Sequence, residues 1–420
     1  KECMGMRDKR KRNLTEKAYI FKRTIQAFAH SLAYQACRIF PVDERKVVMW
    51  TFEGNGGYGC SPKYVAEELL ERNRKTDTDY RIIWLVNDTH KEFPEEITKV
   101  KSTLWSRAYH LSTAGTWLSN TRTFYGTKKR KGQCYIQTWH ATICIKPIGL
   151  YRGALFPEMA RIVSAYDSGM IDYVLSGSKW CDHMYRKGLL YRGRIIKTGT
   201  PRCDVLLNQR KEKYAQIRKE YHIPDEARIM LYAPTFRGGS QNTKRTVSTD
   251  EVTIDFGRLT SVLEKRFGGT WYVLLRLHPQ LAAKMEKLQT HQASGRLTDV
   301  SQRPDMNELI AASDAFLTDY SSAVFEANII GIPSFIYADD LQEYIADRGD
   351  LFFDMYKLPF PVAQNNDELM NCIEQFDEKA YYQKTKDFMR ETRIFEDGRA
   401  SKRVVDLIER ERREKNRDAQ

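Results

Sequence analysis

The feature that most constrains this fold is a regular alternation of short apolar runs with amphipathic helical segments. In the first half of the chain, the runs 46–50 and 80–87 flank the helical stretch 61–73, which begins with Ser-Pro, a common helix start. Apolar runs separated by helices are typical of parallel strands, because a parallel connection needs a crossover that is usually helical. The pattern therefore predicts an α/β fold with helices on both faces of parallel sheets.

The alternation restarts near residue 200, which predicts two successive α/β domains. The strand-like runs of the second series are "ARIMLYAPTFRGG", "TWYVLLRLHP", "AFLTDY" and "IPSFIYADD". We assign the two domains to residues 46–199 and 200–395, with a charged helical tail at 396–420. A central cleft is expected between the domains.

The N-terminal segment 1–45 is predicted to form a basic amphipathic helix. Residues 24–37 carry no charge, and basic residues flank them on both sides. Such a stretch is too short to cross a bilayer but long enough to lie in its surface. Two interpretations stay open, a membrane-surface helix and a helix packed on the next domain. The sequence begins at Lys1 rather than Met, so an upstream domain is a further expectation.

Charge and cysteine usage narrow the class of protein. The net charge of +13 implies an anionic partner, such as nucleic acid, anionic lipid or a phosphate-rich substrate. No nucleic-acid recognition motif accompanies it, so no nucleic-acid partner is expected. The eight cysteines lack Cys-x-x-Cys spacing, which argues against a zinc site or disulfide framework and favours a reducing cytosol. No apolar run of about 20 residues suggests a membrane span.

The stretch "LTDYSSAVFE" is the first candidate for chemistry. A buried strand would deliver Thr318 and Asp319 to its carboxyl end, and Ser321 and Ser322 would then open a helix. Hydroxyl groups beside free backbone N–H groups can bind phosphate, and ligands of doubly wound sheets lie at this edge. The alternative is that Ser321 is only a helix N-cap.

Two other strand ends carry cationic or titratable groups. In "YAPTFRGG", Arg237 follows a strand, and its planar guanidinium suits phosphate oxygens. In "LLRLHP", the leucines are core-like, so Arg276 and His278 emerge at the strand end. Together with the serines, these groups are predicted to lie along one rim of the cleft.

A further histidine ends a strand of the first series. His140 lies in "QTWHAT", after the apolar run 134–136. The imidazole is either a packed structural group or a general base aimed into the cleft, titrating near pH 6.5. In the second case Trp139 would pack behind the ring and fix its direction.

The motifs "QTWHAT…IKPIG", "YAPTFR", "LRLHP", "LTDYSSAVFE" and "FIYADDLQEYIADRG" resemble the motif series of the CDP-glycerol glycerophosphotransferase family. The similarity runs from about Lys46 to Phe395. It implies a GT-B-like fold of two Rossmann-like domains facing a central cleft, with the donor in the C-terminal half. It also implies peripheral attachment to the cytoplasmic face of a bacterial membrane. Ala141 and Glu326 depart from the family pattern, which usually has Gly and Asp there.

The resemblance implies transfer of glycerol phosphate from CDP-glycerol to a hydroxyl of a lipid-linked or polymer acceptor, with release of CMP. CDP-ribitol as donor, and a GT-B glycosyltransferase that uses a nucleotide sugar, are the enzyme alternatives. A basic RNA- or membrane-binding scaffold is the non-enzyme alternative. No cofactor and no metal site is expected.

Roles for the candidate residues follow from this reading. His140 is expected to act as the general base, and His278 to steady phosphate charge. The predicted donor-binding residues are Arg237, Thr318, Asp319, Ser321 and Ser322. The pattern DxxxYxxxRG adds Asp340 and Arg348 to the donor side by resemblance alone.

Overall fold

The computed structural model describes residues 2–76, 78–235, 252–277 and 295–418, and the side chains of residues 2–14, 416 and 418 are not part of that description. Two parallel sheets form the frame of the described chain. The first sheet and the helices packed on it are called the first domain, and the second sheet with its helices the second domain.

The first sheet has seven strands in the order β3-β2-β1-β4-β5-β6-β7. Neighbouring strands are parallel throughout. The strands are β1 (Asp43–Trp50), β2 (Arg81–Val86), β3 (Thr98–Lys101), β4 (Ala114–Ser119), β5 (Cys134–Gln137), β6 (Tyr173–Ser176) and β7 (Arg194–Lys197).

The second sheet has six strands in the order β10-β9-β8-β11-β12-β13, again all parallel. Its central strands are buried, which explains why they appear in the sequence as continuous apolar runs rather than alternating ones. The strands are β8 (Arg228–Tyr232), β9 (Trp271–Leu275), β10 (Leu297–Asp299), β11 (Ala315–Thr318), β12 (Ser334–Tyr337) and β13 (Val362–Ala363).

Helices connect the strands as the alternating pattern predicts. Those of the chain up to residue 220 are α1 (Glu2–Ala36), α2 (Cys60–Thr76), α3 (Leu104–Thr113), α4 (Glu158–Ser168), α5 (Lys179–Gly188), α6 (Asp204–Asn208) and α7 (Arg210–Glu220). The later ones are α8 (Phe256–Phe267), α9 (Met306–Ala311), α10 (Ala323–Ile329), α11 (Leu341–Arg348), α12 (Asn366–Glu374), α13 (Glu378–Thr392) and α14 (Ala400–Asp418). Two parallel-sheet domains around a cleft confirm the predicted GT-B-like architecture.

Helix α1 packs on the first domain, as one of the two interpretations of the sequence expected, and the membrane-surface interpretation stays a prediction. One of its faces is buried, with Ala33 and Tyr34 in the hydrophobic core of the first domain. The opposite face exposes large apolar side chains, including Phe21 and Phe28, which are 68% and 65% exposed. None of the described helices is long and apolar enough to cross a membrane.

The C-terminal helix returns to the first domain. Helix α14 packs on α2, and its apolar side chains Val404, Val405, Leu407 and Ile408 are buried with the core residues of the first sheet. The segment 396–420, predicted as a charged tail, therefore supplies part of a hydrophobic core. The domain limits at residues 45, 199 and 395 remain a prediction.

Candidate active site

A cavity of about 190 Å³ lies between the two sheets. Residues that follow the carboxyl ends of strands from both sheets line it, as expected for ligand sites in parallel α/β domains. Its lining residues are Phe52, Cys60, His140, Arg202, Arg276, Pro304, Asp305, Met306, Asn307, Ser321, Ser322, Ala323 and Glu326.

His140 reaches this cavity just beyond β5, and two contacts fix its ring. Nδ1 lies 2.8 Å from the backbone carbonyl oxygen of Asn120. A carbonyl oxygen can only accept, so Nδ1 carries the proton and Nε2 keeps its lone pair. The ring also stacks on Trp139 with centroids 4.4 Å apart, which confirms the predicted packing behind the imidazole.

The charge state of His140 differs from the prediction. Burial, together with the cations Arg202, Arg122 and Lys146, lowers the imidazole pKa from its ordinary value to about 4, although the hydrogen bond to the Asn120 carbonyl opposes this shift. Titration near pH 6.5 was therefore the wrong expectation. The ring is neutral throughout the range in which cells operate, and its free nitrogen is always available to accept a proton.

The loop that presents His140 has an unusual backbone. Trp139 has a φ of 52°, a left-handed conformation that a bulky residue rarely adopts. Gln137 stabilises the turn, because its side-chain oxygen accepts a hydrogen bond from the Trp139 N–H (2.9 Å). Its amide nitrogen donates to the carbonyl of Thr121 (2.9 Å). The buried glutamine therefore holds the histidine loop in place.

Ser321 and Ser322 lie on the opposite wall, after β11. Helix α10, which follows them, has only seven residues, and Ser322 at its N-cap position makes no side-chain capping bond. The hydroxyl of Ser321 accepts a long bond from the N–H of Ala323 (3.3 Å). Ser322 is therefore not a side-chain helix cap, and both serines line the same cavity as His140.

Thr318 and Asp319 are buried and do not line the cavity. The hydroxyl of Thr318 donates to the carbonyl of Ala233 (2.7 Å). The carboxylate of Asp319 accepts bonds from the backbone N–H (2.9 Å) and hydroxyl (2.8 Å) of Thr235. Both residues therefore hold the segment that leads to Arg237.

The remaining candidates lie apart from the serines or outside the described residues. Arg237 and His278 belong to the latter group. Asp340 accepts a hydrogen bond from the hydroxyl of Tyr320 (2.8 Å), whose ring stacks on Tyr344. Arg348 ends α11 and pairs with Asp347 (2.9 Å). Neither Asp340 nor Arg348 is among the lining residues of the cavity.

Several lining residues were missed by sequence reasoning. Arg202 and Glu326 form a buried ion pair across the cavity wall. Glu326 offered one signal, since a lone acidic residue within the apolar stretch "AVFEANII" needs a buried partner. Arg202 offered none, because its partner is distant in sequence.

The glycine-rich loop "EGNGGYG" (53–59) lies at the cleft. A Cβ atom added at Gly59 would lie 3.0 Å from the carbonyl oxygen of Pro304 in the second domain. The adjacent Cys60 donates its backbone N–H to Asp305 (2.8 Å). The missing side chain thus allows the backbones of the two domains to approach closely.

Ionic contacts join the two domains beside the cavity. Lys63 of α2 donates to Glu308 of α9 (2.6 Å), and Lys213 and Arg303 contact the same carboxylate. These cations lower the pKa of Glu308 to about 2, although burial alone would raise it. The two walls of the cavity are therefore held together by a cluster of buried ion pairs.

The sequence of the chain matches a known family. The family model described as CDP-glycerol:poly(glycerophosphate) glycerophosphotransferase covers residues 32–410. The chain belongs to this family. The predicted resemblance is therefore confirmed over most of the sequence.

Individual members of the family show the same relationship. The chain is 29% identical over 383 residues to the teichoic acid poly(glycerol phosphate) polymerase of Staphylococcus epidermidis, covering 88% of this chain and 51% of that protein. It therefore spans about half the length of that relative. It is 27% identical over 405 residues to the teichoic acid glycerol-phosphate transferase of Staphylococcus aureus, covering 93% of this chain and 100% of that protein.

A solved structure has the same fold. The wall teichoic acid polymerase TagF, as a histidine variant soaked with CDPG, superposes with a TM-score of 0.77 at 26% identity. The match covers 95% of this chain and 99% of that one. The two-domain architecture is therefore similar to that of this polymerase.

Proposed function

We propose that this protein transfers glycerol phosphate from CDP-glycerol to a hydroxyl group of an acceptor and releases CMP. One observation carries the proposal: a neutral imidazole with a free Nε2 shares a cavity with two serine hydroxyls and two arginines. The first group can accept a proton, and the others suit a diphosphate. Family membership supplies the CDP-alditol class of donor.

In the proposed reaction, the acceptor oxygen attacks the β-phosphorus of the donor. The bond from that phosphorus to the bridging oxygen breaks, and CMP leaves with the bonding electron pair. Nε2 of His140 accepts the proton of the attacking hydroxyl. The product is a phosphodiester that lengthens the acceptor by one alditol phosphate.

A low pKa is compatible with this role of His140. A donor diphosphate in the cavity offsets the positive potential of Arg202 and the other cations that disfavour the imidazolium. The basicity of His140 therefore rises when the donor is bound. The histidine also avoids being protonated, and thus blocked, when the cavity is empty.

The donor side combines described and predicted residues. Ser321 and Ser322 would donate hydrogen bonds to phosphate oxygens. Arg237 and His278 are predicted to neutralise charge that develops on the leaving CMP. Asp319 supports this role of Arg237, because its carboxylate fixes Thr235, two residues earlier in the chain.

Direct assays test the proposal. Purified protein would be incubated with radiolabelled CDP-glycerol, CDP-ribitol and several UDP-sugars, each with a lipid-linked acceptor. We expect transfer from CDP-glycerol, with His140→Ala as the inactive control. Transfer from CDP-ribitol alone would mean that the donor carries ribitol rather than glycerol. Turnover of a UDP-sugar alone would make the protein a glycosyltransferase, and RNA binding without turnover would support the scaffold alternative.

We further propose that α1 attaches the enzyme to the cytoplasmic face of the membrane, where a lipid-linked acceptor would be found. Phe21, Ile25, Phe28 and Leu32 recur at helical spacing and are all at least half exposed. Lys17 and Lys22 accompany this stripe. An exposed apolar stripe with basic neighbours suits an anionic lipid surface.

Point substitutions test this attachment better than removal of residues 1–40, because Tyr34 and Cys37 belong to the core. We expect Phe21→Ser with Phe28→Ser to reduce sedimentation with anionic vesicles. The matched control is Tyr356→Ser, which changes a side chain that is 60% exposed in the second domain. Equal vesicle binding by both variants and the wild type would rule out the stripe as the anchor.

A further inference from the structure

Phe52 is an aromatic residue of the first-domain wall that the proposed reaction does not use. It comes two residues after β1 and lines the cavity beside His140, with ring centroids 5.6 Å apart. Trp139, the other aromatic neighbour of the imidazole, is buried, whereas Phe52 is 44% exposed. The ring of Trp139 therefore belongs to the packed support of the histidine, while the ring of Phe52 keeps a surface open to a ligand.

The backbone that presents this ring has an unfavourable conformation. Phe52 and Glu53 have φ values of 47° and 58°, and consecutive left-handed residues other than glycine are rare. Two side chains just beyond β4 fix this turn. Oδ1 of Asn120 accepts the N–H of Phe52 (2.9 Å), and Oγ1 of Thr121 accepts the N–H of Glu53 (3.0 Å). Strain that neighbouring groups maintain in this way is typical of functional sites.

The position of the ring is coupled to that of the proposed base. The side-chain oxygen of Asn120 accepts a bond from Phe52, and its backbone carbonyl accepts one from Nδ1 of His140. Asn120 is buried, and the neighbouring strands β1 and β4 end at the same edge of the sheet. One residue therefore places both groups on the same wall, so the ring can position a ligand relative to Nε2.

The glycine-rich loop leaves the space that the ring needs. A Cβ atom added at Gly56 would overlap Oγ1 of Thr51 and would lie 3.0 Å from Cδ2 of Phe52. A side chain at this position would therefore displace the turn or the ring. The glycines of the loop thus serve the presentation of Phe52 as well as the close approach of the two domains at Gly59.

The charges around Phe52 indicate which part of a ligand would contact it. The adjacent Glu53 is exposed and places a carboxylate beside the ring, whereas Arg276 lines the cavity from the second domain. Phosphate is therefore disfavoured next to Phe52. The face of an aromatic ring is negative and attracts C–H groups, particularly those that neighbouring oxygens polarise. The carbon chain of an alditol or a sugar has such groups.

We infer that Phe52 is an acceptor-binding residue whose ring contacts the carbon chain of the polyol or sugar that carries the attacking hydroxyl. This contact places the hydroxyl at Nε2 of His140. The inference rests on the proposed function for the transfer reaction. The contact itself follows from the exposed ring, the strained turn that presents it and the buried Asn120 that links it to the base.

Steady-state kinetics test the inference with a synthetic lipid-linked acceptor that ends in one glycerol phosphate unit. We expect Phe52→Ala to raise the KM for this acceptor by about 3- to 10-fold, the scale of one lost aromatic contact. The KM for the donor should change by less than about twofold. Phe52→Tyr keeps the ring and should recover most of the affinity. The matched control Tyr382→Ala removes a ring of α13 that is 45% exposed and does not line the cavity, and it should leave both KM values unchanged.

Thermal unfolding separates this role from a structural one. Glycine adopts positive φ without steric strain, and relief of that strain exceeds the extra chain entropy that glycine loses on folding. Phe52→Gly should therefore melt at a higher temperature than Phe52→Ala, while both variants show the raised KM for the acceptor. A lower melting temperature than the wild type in both variants, with an unchanged KM for the acceptor, would make Phe52 a packing residue and overturn the inference.

Hydrolysis of the donor in the absence of acceptor gives an independent readout. The oxygen of water forms a bond to the β-phosphorus, the bond to the bridging oxygen breaks, CMP leaves with the electron pair, and Nε2 of His140 accepts the proton. At pH 8, where the imidazole is neutral, Phe52→Ala should hydrolyse CDP-glycerol at least as fast as the wild type. A parallel loss of hydrolysis and transfer would mean that Phe52 acts on the donor or the base, and would overturn the inference.

Failure of the proposed function would be seen separately. Turnover of a UDP-sugar alone would refute the proposed donor, and a raised KM for the acceptor of that reaction in Phe52→Ala would retain the ring contact. Turnover of CDP-glycerol with an unchanged KM for the acceptor in Phe52→Ala would refute only the inference. Absence of turnover with every donor would refute both.

Discussion

The two walls of the cavity hold their polar groups in opposite ways. On the first-domain wall, the imidazole of His140 is stacked on Trp139 and bonded to the Asn120 carbonyl. On the second-domain wall, the hydroxyl of Ser322 and the Nε of Arg276 have no partner within the described residues. The first wall fixes the direction of its reactive group by contacts within the protein, whereas the second leaves hydrogen-bond donors without partners in that part of the chain.

This difference indicates a division of labour. A general base must be oriented before the reaction, so its hydrogen bonds are made within the protein. Groups that bind an anion must keep their donors available for it. The first wall therefore suits proton transfer to and from the acceptor, and the second suits the donor phosphates.

The largest expected effect comes from removing the base of the first wall. His140→Ala should lower kcat by about 10²-fold or more, the usual scale for a lost general base. Affinity for the donor should remain close to that of the wild type, because the second wall is intact. Steady-state kinetics would measure the change. A kcat of His140→Ala close to that of the wild type would make the histidine structural and remove the contrast between the walls.

Some parts of this arrangement could be predicted from the sequence, and others could not. The parallel strands and the positions of His140 and Ser321 at strand ends follow from local apolar periodicity, and both residues do line one cavity. The partners of the charged groups were not predictable in this way. Arg202 and Glu326 are 124 residues apart, so their pairing depends on long-range packing that local periodicity does not reveal.

Burial also determines the charge states of side chains, which the sequence alone does not reveal. The motif "QTWHAT" does not reveal that the imidazole is enclosed near Arg202 and Arg122, and both effects move its pKa. Similarly, the charged composition of 400–418 conceals the apolar face of α14, which fills a core formed by residues more than 200 positions earlier. Long-range packing produced these results.

Removing hydroxyls from the second wall should have a smaller effect. Ser321→Ala with Ser322→Ala should weaken donor binding by about 10-fold, as for one or two hydrogen bonds to a charged phosphate. The control Ser261→Ala removes an exposed hydroxyl of α8 that does not line the cavity. Calorimetry with CDP-glycerol would measure the change. A loss in kcat without a loss in affinity would place the serines on the acceptor side instead.

The dependence of kcat/KM on pH tests the first wall without a substitution. Because burial holds the pKa of His140 at about 4, the neutral base persists as pH falls and is lost only near that value. We therefore expect kcat/KM to change by less than about twofold between pH 8 and pH 6 on this account. A base with an ordinary pKa near 6.5 would instead lose about three-quarters of its neutral form by pH 6. A profile that falls with such a midpoint, and becomes flat in His140→Ala, would contradict the low value.

The smallest expected effect concerns the segment that holds the two walls together. Between α13 and α14 the chain passes from the second domain back to the first, and Phe395 donates its N–H to the Gly177 carbonyl (3.0 Å). The carboxyl group of Glu396 accepts the N–H of Thr200 (2.9 Å), and a Cβ at Gly177 would lie 2.2 Å from it. Burial raises the pKa of Glu396 to about 8 despite these hydrogen bonds.

The folded protein therefore keeps Glu396 protonated at neutral pH, whereas the unfolded chain ionises it above its ordinary pKa. Stability from this group is complete at low pH and declines as pH rises towards 8, because the unfolded state releases the proton first. Glu396→Gln should flatten this decline. The difference in melting temperature, variant minus wild type, should be larger at pH 8 than at pH 5 by about 2 °C or more. The control Glu391→Gln changes an exposed carboxylate of α13. If the melting temperatures of the wild type and of Glu396→Gln change with pH in parallel, the carboxyl group is ionised in the folded protein. The junction between the walls would then not depend on its proton.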